Sequence, residues 1–256
     1  MTMGLLDLPA PLLDAIDGVL GWIGVPALLR VMLSGLAAGV AGAWVYRRFS
    51  PQARLGALRA ELGAVQAELR GYDGPFSGLM PLIRRQFALS LRQLRITAGA
   101  AVLAGLPALL ILPWLSNRYE VAFPPPGPPV RICAEPAGVA WTTRDPALSA
   151  DAQGCLDLPW PDAARPVAVR EDGRDLIVLP TPQPSRIVHD RRWFNGLIGN
   201  PAGYLPDQAR TRQLRLDLPP RELITVGPAW LRGWEAAFFT AALLSSLWLH
   251  RRWRLY

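Results

Sequence analysis

The placement of arginines around three apolar stretches is the feature that most constrains this chain. The stretches lie at about Trp22–Tyr46, Ile96–Leu115 and Trp230–Leu249, and each is close to the ~20 apolar residues that a membrane-spanning helix needs. Basic residues near the ends of such helices stay on the cytoplasmic side. The arginines that flank the three stretches are Arg47 and Arg48, Arg92 and Arg95, and Arg251, Arg252 and Arg254. They are therefore expected to share one compartment, with the N-terminus outside and the C-terminus in the cytoplasm.

This topology predicts an α-helical membrane protein with three transmembrane helices, a cytoplasmic helical hairpin and a small β-rich external (periplasmic) domain. The chain has no lysine, which indicates GC-rich coding and a bacterial source, so we expect the inner membrane. The predicted segments are an amphipathic helix (1–21), a first span (22–46), the hairpin (47–95), a second span (96–115), a Pro-rich spacer (116–129), the β-rich domain (130–229), a third span (230–249) and a basic tail (250–256).

Composition supports a membrane protein over a nucleic-acid binder. Apolar residues make up 51 % of the chain and charged residues only 18 %. The net charge of +7 could serve nucleic acid, but the arginines are divided among the hairpin, the tail and the external domain, and they flank the apolar stretches. Arginines in these positions attract anionic headgroups, so membrane lipids are the expected partners.

The first 21 residues have acids but no basic residue, unlike the positive start of a cleavable signal peptide. Leucines and isoleucine recur here at helical spacing, which favours an amphipathic helix lying on the outer membrane surface. The alternative is a disordered leader.

Three polar residues in the apolar stretches are candidates for a groove: Arg30, Ser34 and Ser245. Arg30 precedes Arg47 by 17 positions, so it would lie about 25 Å above the cytoplasmic face. Either it extends to the outer headgroups, or it lines a polar groove, where an intramembrane charge marks a site.

Small residues at Gly35, Gly39 and Ala43 form a stripe on one face of the first span. Such a stripe lets another helix approach closely. The spacing does not say whether that helix belongs to this chain or to another. In the third stretch, Arg232 and Glu235 lie three positions apart and are expected to pair with each other.

The segment between the first two spans reads as two helices joined by a turn. Leucine and valine recur every three or four residues from Leu55 to Leu69, Gly71–Pro75 has turn-forming composition, and a second seam runs from Met80 to Leu94 into the next span. The two seams either pack as an antiparallel pair, or the second helix lies flat on anionic lipid.

With this hairpin the chain resembles the YidC/Oxa-type insertase superfamily, in particular its small three-span members. The residues that carry the resemblance are the Leu seam with its charges over Arg54–Arg70 and the run from Ile83–Phe87 to Leu106–Leu115. The resemblance covers roughly Trp22–Leu115 plus the third span. It implies three spans around a hydrophilic groove open to the cytoplasm, and a hairpin that contacts the client or ribosome.

The external segment changes character at residues 124–129, a run of prolines and one glycine that predicts a semi-rigid spacer. Short alternating runs after it predict a small β-rich domain. Cys133 and Cys155 both lie here, so we expect a disulfide. The predicted strands are Val130–Cys133, Val139–Thr143, Val167–Arg170, Leu176–Leu179, Leu214–Leu218 and Leu223–Val226.

Residues 189–206 interrupt these runs with arginines, aromatics and turn formers. Because Arg and aromatic side chains dominate protein interfaces, this is the candidate docking loop. Its side chains could equally fill the small core or rest on the bilayer. The candidate docking residues are Arg191, Arg192, Trp193, Phe194 and Tyr204.

No catalytic constellation is found: the sequence contains no nucleotide-binding glycine motif, zinc-protease motif or nucleophile elbow. We expect a non-enzyme with no cofactor, no metal site and no small-molecule substrate, whose partners besides lipid are membrane proteins. Two functions remain. One is membrane-protein insertion or assembly through the three-helix groove and hairpin, and the other is a structural or assembly subunit that docks a partner of an envelope complex through the periplasmic domain.

Overall fold

The computed structural model describes residues 3–143, 145 and 148–253 and divides them into two compact units. Unit 1 comprises Met1–Val31 with Leu110–Ala237, and unit 2 comprises Met32–Leu109 with Phe238–Tyr256. About half of the chain is helical, and the strands form two sheets. The sequence-based expectations for residues 1–2 and 254–256 lie outside the described part.

Unit 1 contains the predicted β-rich domain. Strands β1 (Pro129–Glu135), β2 (Cys155–Pro159), β5 (Ile187–His189) and β6 (Gln213–Leu216) form an antiparallel sheet of order β2-β1-β6-β5. Strands β3 (Val167–Glu171) and β4 (Arg174–Leu179) form a separate hairpin. Alternate side chains from the sheet and from the hairpin point into one shared apolar core.

One of the predicted strands is wrong and another is reduced to a bridge. In the segment 139–143, Thr142 exchanges two backbone hydrogen bonds with Arg170 of β3 (2.9 Å and 2.7 Å). Trp141 from this segment is buried, with its Nε1 donating to Gly154 O (2.8 Å). Residues 223–226 form a loop in which Leu223 N donates to Arg232 O at 2.7 Å. Conversely, β2 and β5 were missed because β2 has no β-branched residue and β5 is only three residues long.

The expected disulfide is present. Cys133 and Cys155 lie directly opposite each other on β1 and β2, with their Cα atoms 4.0 Å apart, and their sulfurs are bonded. The two cysteines are 22 positions apart in the sequence, and the bond closes the loop between them.

We expect Cys133→Ser with Cys155→Ser to lower the free energy of unfolding by about 3 kcal/mol, because the open loop gains entropy in the unfolded chain. Chemical denaturation of the protein in detergent, followed by tryptophan fluorescence, measures this. The oxidised wild type is the reference, and the reduced wild type should match the double variant. Equal stability of all three would show that the native domain does not depend on the bond.

The N-terminal segment docks on the β-rich domain. A 3-10 turn (Leu5–Asp7) leads into helix α1 (Ala10–Trp22). Asp7 is buried, and its Oδ2 accepts hydrogen bonds from Gly4 N (2.8 Å) and Gly199 N (2.6 Å). The apolar side of α1 remains exposed in unit 1; its members are Leu12, Ile16 and Val19.

Two helices among the described residues are long and apolar enough to cross a membrane: α2 (Ala27–Phe49) and α4 (Phe76–Tyr119). The expectation of apolar helices combined with a β-rich domain is therefore confirmed, and association with a membrane is indicated. The first span was placed five residues early, because Gly24, with φ of 84°, and Pro26 separate α1 from α2.

Helix α4 is longer than the second apolar stretch. It begins at Phe76, within the predicted hairpin, and continues through Pro107 and Pro113 to Tyr119. The segment that follows is not a free spacer: Phe123 stacks on Trp160 (5.6 Å between ring centroids), and Gly127 N donates to Trp160 O at 3.0 Å.

The third apolar stretch is divided between α5 (Ala229–Arg232) and α6 (Trp234–Arg252), because Gly233 is extended. Arg232 pairs with Glu222 (3.2 Å) and not with Glu235 as the spacing suggested. Because the helix is interrupted at Gly233, Arg232 and Glu235 do not lie next to each other on one helical face.

In unit 2, helix α3 (Gln52–Arg70) packs on the first half of α4. Leu58, Leu62 and Val65 of α3 are buried together with Leu89 of α4. At the rim of this seam, Arg85 Nη2 lies 3.2 Å from Glu61 Oε1. The two helices therefore pair as the antiparallel alternative has it, but the predicted seam of α4 is wrong: Leu89 faces α3, whereas Phe87 and Leu94 of that seam are exposed.

Candidate functional site

The stripe of small residues on α2 packs against α6 of the same chain, within unit 2. A Cβ atom on Gly35 would overlap the carbonyl oxygen of Phe238, and one on Gly39 would overlap Ser245 Oγ and the carbonyl oxygen of Ala242. Only hydrogen fits at these two positions. The helix that the stripe was expected to receive is therefore this chain's own α6.

Helices α2 and α6 run in the same direction. Their contacts advance together, from Gly35 with Phe238 to Gly39 with Ala242. The guanidinium carbon of Arg47 then lies 5.0 Å from the ring centroid of Trp253. The basic ends of the two helices consequently lie side by side.

A second close approach joins α2 to α4. A Cβ atom on Gly42 would lie 2.7 Å from the carbonyl oxygen of Ala104. Because Gly35 and Gly39 meet α6 while Gly42 meets α4, α2 is held against both neighbours through adjacent faces.

Between these three helices of unit 2 lies a cavity of about 520 Å³. Nine of its fourteen described lining residues are Gly or Ala, contributed by α2, α4 and α6. The polar groups that line it are Tyr46, Ser246 and His250, and Tyr46 and His250 lie toward the basic ends of α2 and α6. The cavity is thus a groove of small side chains with one polar end. From here on it is called the three-helix groove.

The candidate groove residues are not brought together. Ser245 is buried, but its Oγ donates to Ala242 O (3.0 Å) on α6 and fills the space above Gly39. Ser34 is half-buried on α2 and, like Arg30, is not among the described lining residues. Ala43 does line the three-helix groove.

Arg30 belongs instead to a buried ion cluster in unit 1. Its Nη1 lies 2.9 Å from Asp17 Oδ2, and Arg118 Nη2 lies 3.3 Å from the same oxygen. The Tyr119 hydroxyl donates to Asp17 Oδ1. Asp17 is only 2 % exposed and Arg30 15 % exposed. This cluster ties α1 to the start of α2 and the end of α4.

Sequence reasoning missed Asp17 because the acids of α1 were assigned to a solvated face. Arg30 was a signal that could have led to Asp17, because an arginine inside an apolar run requires a counter-charge. Asp17 lies 13 residues before Arg30 and is the acid nearest to it in sequence.

The candidate docking loop forms a 3-10 turn (Trp193–Gly196) whose tip is exposed. Trp193 is 87 % exposed and therefore does not fill the core. Phe194 and Tyr204 each pack near the ring of His189, with ring centroids 5.7 Å and 5.9 Å away. Arg191 is exposed.

The base of this loop is fixed by charge. Arg192 Nε and Arg212 Nη1 lie 3.1 Å and 3.3 Å from the two carboxylate oxygens of Asp190. Burial alone would raise the pKa of Asp190, but the hydrogen bonds and charges of the two arginines outweigh it and hold that pKa below its usual range. Asp190 therefore remains ionised at neutral pH and holds Arg192 beside the exposed Trp193.

Comparison with protein families, with curated proteins and with solved structures finds no match to this chain. Its function is therefore inferred from its own residues. The candidate sites are the three-helix groove, the buried ion cluster around Asp17 (the Asp17 cluster) and the exposed 3-10 turn at Trp193 (the Trp193 turn).

Proposed function

We propose that this protein is a non-enzymatic integral membrane protein that assists the insertion or assembly of other membrane proteins by holding one of their helices in the three-helix groove. The observation that carries the proposal is the groove itself, about 520 Å³ in volume and lined mainly by Gly and Ala. Small side chains let a further helix approach closely in a lipid environment.

The proposed topology has three spans, with the N-terminus outside and the C-terminus in the cytoplasm of a bacterium. If α2 crosses the membrane, α6 crosses beside it, because the two run parallel and in contact through Gly35 and Gly39. With 19 residues, α6 is about 28 Å long, close to the hydrocarbon thickness. Arg47, Arg48, Arg251 and Arg252 then lie together on the cytoplasmic side, as retention of basic residues requires.

The α3–α4 pair would project into the cytoplasm in this topology, as the hairpin of YidC/Oxa-type insertases does in the resemblance. The groove differs from the hydrophilic groove which that resemblance implies. No arginine is found among its described lining residues. Arg30, the arginine that the sequence offered for a groove, is paired with Asp17 in unit 1. Holding an apolar helix is therefore better supported than guiding a polar segment across.

A second function is favoured by the exposed Trp193 turn: a structural or assembly subunit that docks an envelope partner through its periplasmic domain. Trp193 is the kind of large aromatic anchor that dominates interfaces, and it lies beside the fixed Arg192.

Photo-cross-linking tests the groove. A photoreactive amino acid at Gly105, which lines the groove and has no atoms within 4 Å of a built Cβ, should capture membrane proteins. The matched control is the same probe at Val102, an exposed residue of α4 outside the groove lining. We expect protein adducts at least several-fold more abundant at position 105.

The captured proteins distinguish the two functions. Many membrane proteins in substoichiometric amounts support insertion or assembly of clients. A single constant partner, together with its co-purification in mild detergent, would instead assign a complex subunit. Equal protein capture at positions 105 and 102 would overturn the helix-binding role of the groove.

A further inference from the structure

The exposed side of the N-terminal segment carries no polar side chain other than an indole. Residues 3–23 lie in unit 1, and every one of them that is exposed is apolar or glycine. The large exposed side chains are Leu5, Leu8, Leu12, Ile16, Val19 and Trp22. A helix that rests on a soluble domain turns its polar side to water, so this side of α1 is not built to face water.

The acids of the same segment face the protein. Asp7 and Asp17 are buried, and Asp14 is half-buried. Asp7 accepts two backbone hydrogen bonds, and Asp14 Oδ1 accepts one from Trp114 Nε1 at 2.9 Å. Asp17 holds the Asp17 cluster together. The segment is therefore fixed with its polar side inward and its apolar side outward, the reverse of a helix at a water-facing surface.

The Trp193 turn and the two residues after it extend this apolar surface. Leu6 N donates to Leu197 O at 2.8 Å, and a Cβ atom on Gly4 would lie 2.5 Å from the same carbonyl oxygen. Leu197 and Ile198 are themselves exposed, as is Trp193. The exposed sides of residues 3–23 and 193–198 therefore adjoin, and together they are called the seating surface.

The chain itself indicates what covers the seating surface. Helix α1 ends at Trp22, and α2, which is long and apolar enough to cross a membrane, begins five positions later at Ala27. A Cβ atom on Gly21 would lie 3.2 Å from Arg30 Nη1, so the end of α1 lies beside the first turn of α2. A membrane that α2 enters at this turn therefore lies next to the seating surface.

Lipid also fits the chemistry of this surface better than a protein does. Protein interfaces combine an apolar centre with a polar rim and about one hydrogen bond per 100–200 Å². The exposed side chains of residues 3–23 offer no charged, amide or hydroxyl group for such bonds, whereas hydrocarbon requires none. The indoles of Trp22 and Trp193, each 87 % exposed, suit the boundary between headgroups and acyl chains.

We propose that the seating surface lies in one leaflet of the bilayer that α2 enters, with its apolar side chains immersed about 5–10 Å below the headgroup boundary. The β-rich domain is then held against the membrane in one orientation, because the acids of α1 and the hydrogen bond to Leu197 O fix this surface to unit 1. That the leaflet is the outer one rests on the topology proposed above. The inference gives Trp193 a lipid contact in place of the protein partner of the second function.

Nitroxide labels on the full chain, reconstituted in phosphatidylcholine liposomes, test this. Leu12→Cys and Leu197→Cys carry the label in separate variants, and the native cysteines do not react because they are bonded to each other. Power saturation compares access of oxygen, which concentrates in hydrocarbon, with access of a water-soluble nickel chelate present on both sides. We expect both labels to be several-fold more accessible to oxygen than to nickel, at a depth of about 5–10 Å.

The matched control is Arg174→Cys, at an exposed position where β4 begins. Pro182, three positions beyond the other end of β4, lines a cavity together with Ala10 and Pro11 of α1, so Arg174 is at the end of the strand away from α1. Its label should be freely accessible to nickel. Ile16→Cys repeats the measurement on α1 if Leu12→Cys does not fold.

Three results would contradict the proposal. A label at position 12 as accessible to nickel as the label at 174 overturns it and leaves a protein partner as the occupant. Low access of both reagents together with spin–spin broadening overturns it in favour of a second copy of this chain. An immersed label at position 12 with an aqueous label at 197 overturns the joint surface, because the Trp193 turn then does not contact lipid.

A label at Leu36→Cys, near the middle of α2 and exposed, separates this inference from the topology. Deep immersion at position 36 with an aqueous label at 12 overturns the seating surface alone. Aqueous labels at both positions overturn the spanning topology as well. Because no client protein is present in the liposomes, failure of the cross-linking test of the three-helix groove leaves these measurements unaffected.

Discussion

Gly39→Leu is expected to separate α6 from α2 and to lower the free energy of unfolding of the helical unit by about 3 kcal/mol, at the upper end of the cost of overpacking. The physical reason is that a Cβ atom at this position would overlap both Ser245 Oγ and the carbonyl oxygen of Ala242. The serine side chain can rotate, but the carbonyl is part of the backbone of α6, so the helix itself must move.

Unfolding in mixed micelles of mild detergent and dodecyl sulfate, followed by circular dichroism, measures this loss. The matched control is Gly99→Leu on α4, where a built Cβ has no atom within 4 Å. Removing a helical glycine there should be neutral or slightly stabilising. If both variants unfold at the same detergent fraction, α2 and α6 are not packed through Gly39, and the three-helix groove loses one of its walls.

The same variant links packing to function. Since α6 contributes residues such as Phe239 and Leu243 to the groove lining, a displaced α6 changes the shape of the groove. We therefore expect the capture of proteins by a probe at Gly105 to fall in parallel with the loss of stability.

The sequence was sufficient for the apolar helices and the disulfide because neither requires knowledge of which elements pack together. The apolar runs around Gly35 and Ala108 are long, and two cysteines in one small domain have only one possible pairing. The two missed strands, β2 and β5, are short, and pairing with β1 and β6 stabilises them. Tertiary contacts of that kind leave little trace in a run of three to five residues.

The candidate site could be predicted only in part for a related reason. The spacing of Gly35 and Gly39 indicates a packing face but not the helix that covers it, because α6 comes about 200 residues later in the chain. The groove is formed by residues that are unremarkable one by one, mostly glycines and alanines of three separate helices. Arg30 drew attention as an intramembrane charge, whereas the acid that neutralises it belongs to another helix.

The Asp17 cluster gives the other large expected effect: Asp17→Asn should lower the free energy of unfolding of unit 1 by about 3 kcal/mol, because it leaves a buried guanidinium without its counter-charge. Arg30 is 15 % exposed and cannot turn to bulk water easily, while Arg118, 43 % exposed, can. The loss should therefore lie at the lower end of the range for buried ion pairs. Thermal unfolding followed by tryptophan fluorescence measures it.

Glu61→Gln is the matched control, since it breaks the Arg85–Glu61 pair, in which both side chains are largely exposed. Exposed pairs contribute about 0–1 kcal/mol, so this variant should be close to wild type. A second comparison separates charge from packing. Asp17→Asn combined with Arg30→Met replaces the ion pair by neutral groups and should recover part of the loss. If Asp17→Asn lowers the free energy of unfolding no more than Glu61→Gln does, Arg30 does not depend on Asp17 as its counter-charge. Arg30 would then again be a candidate for a role in the three-helix groove.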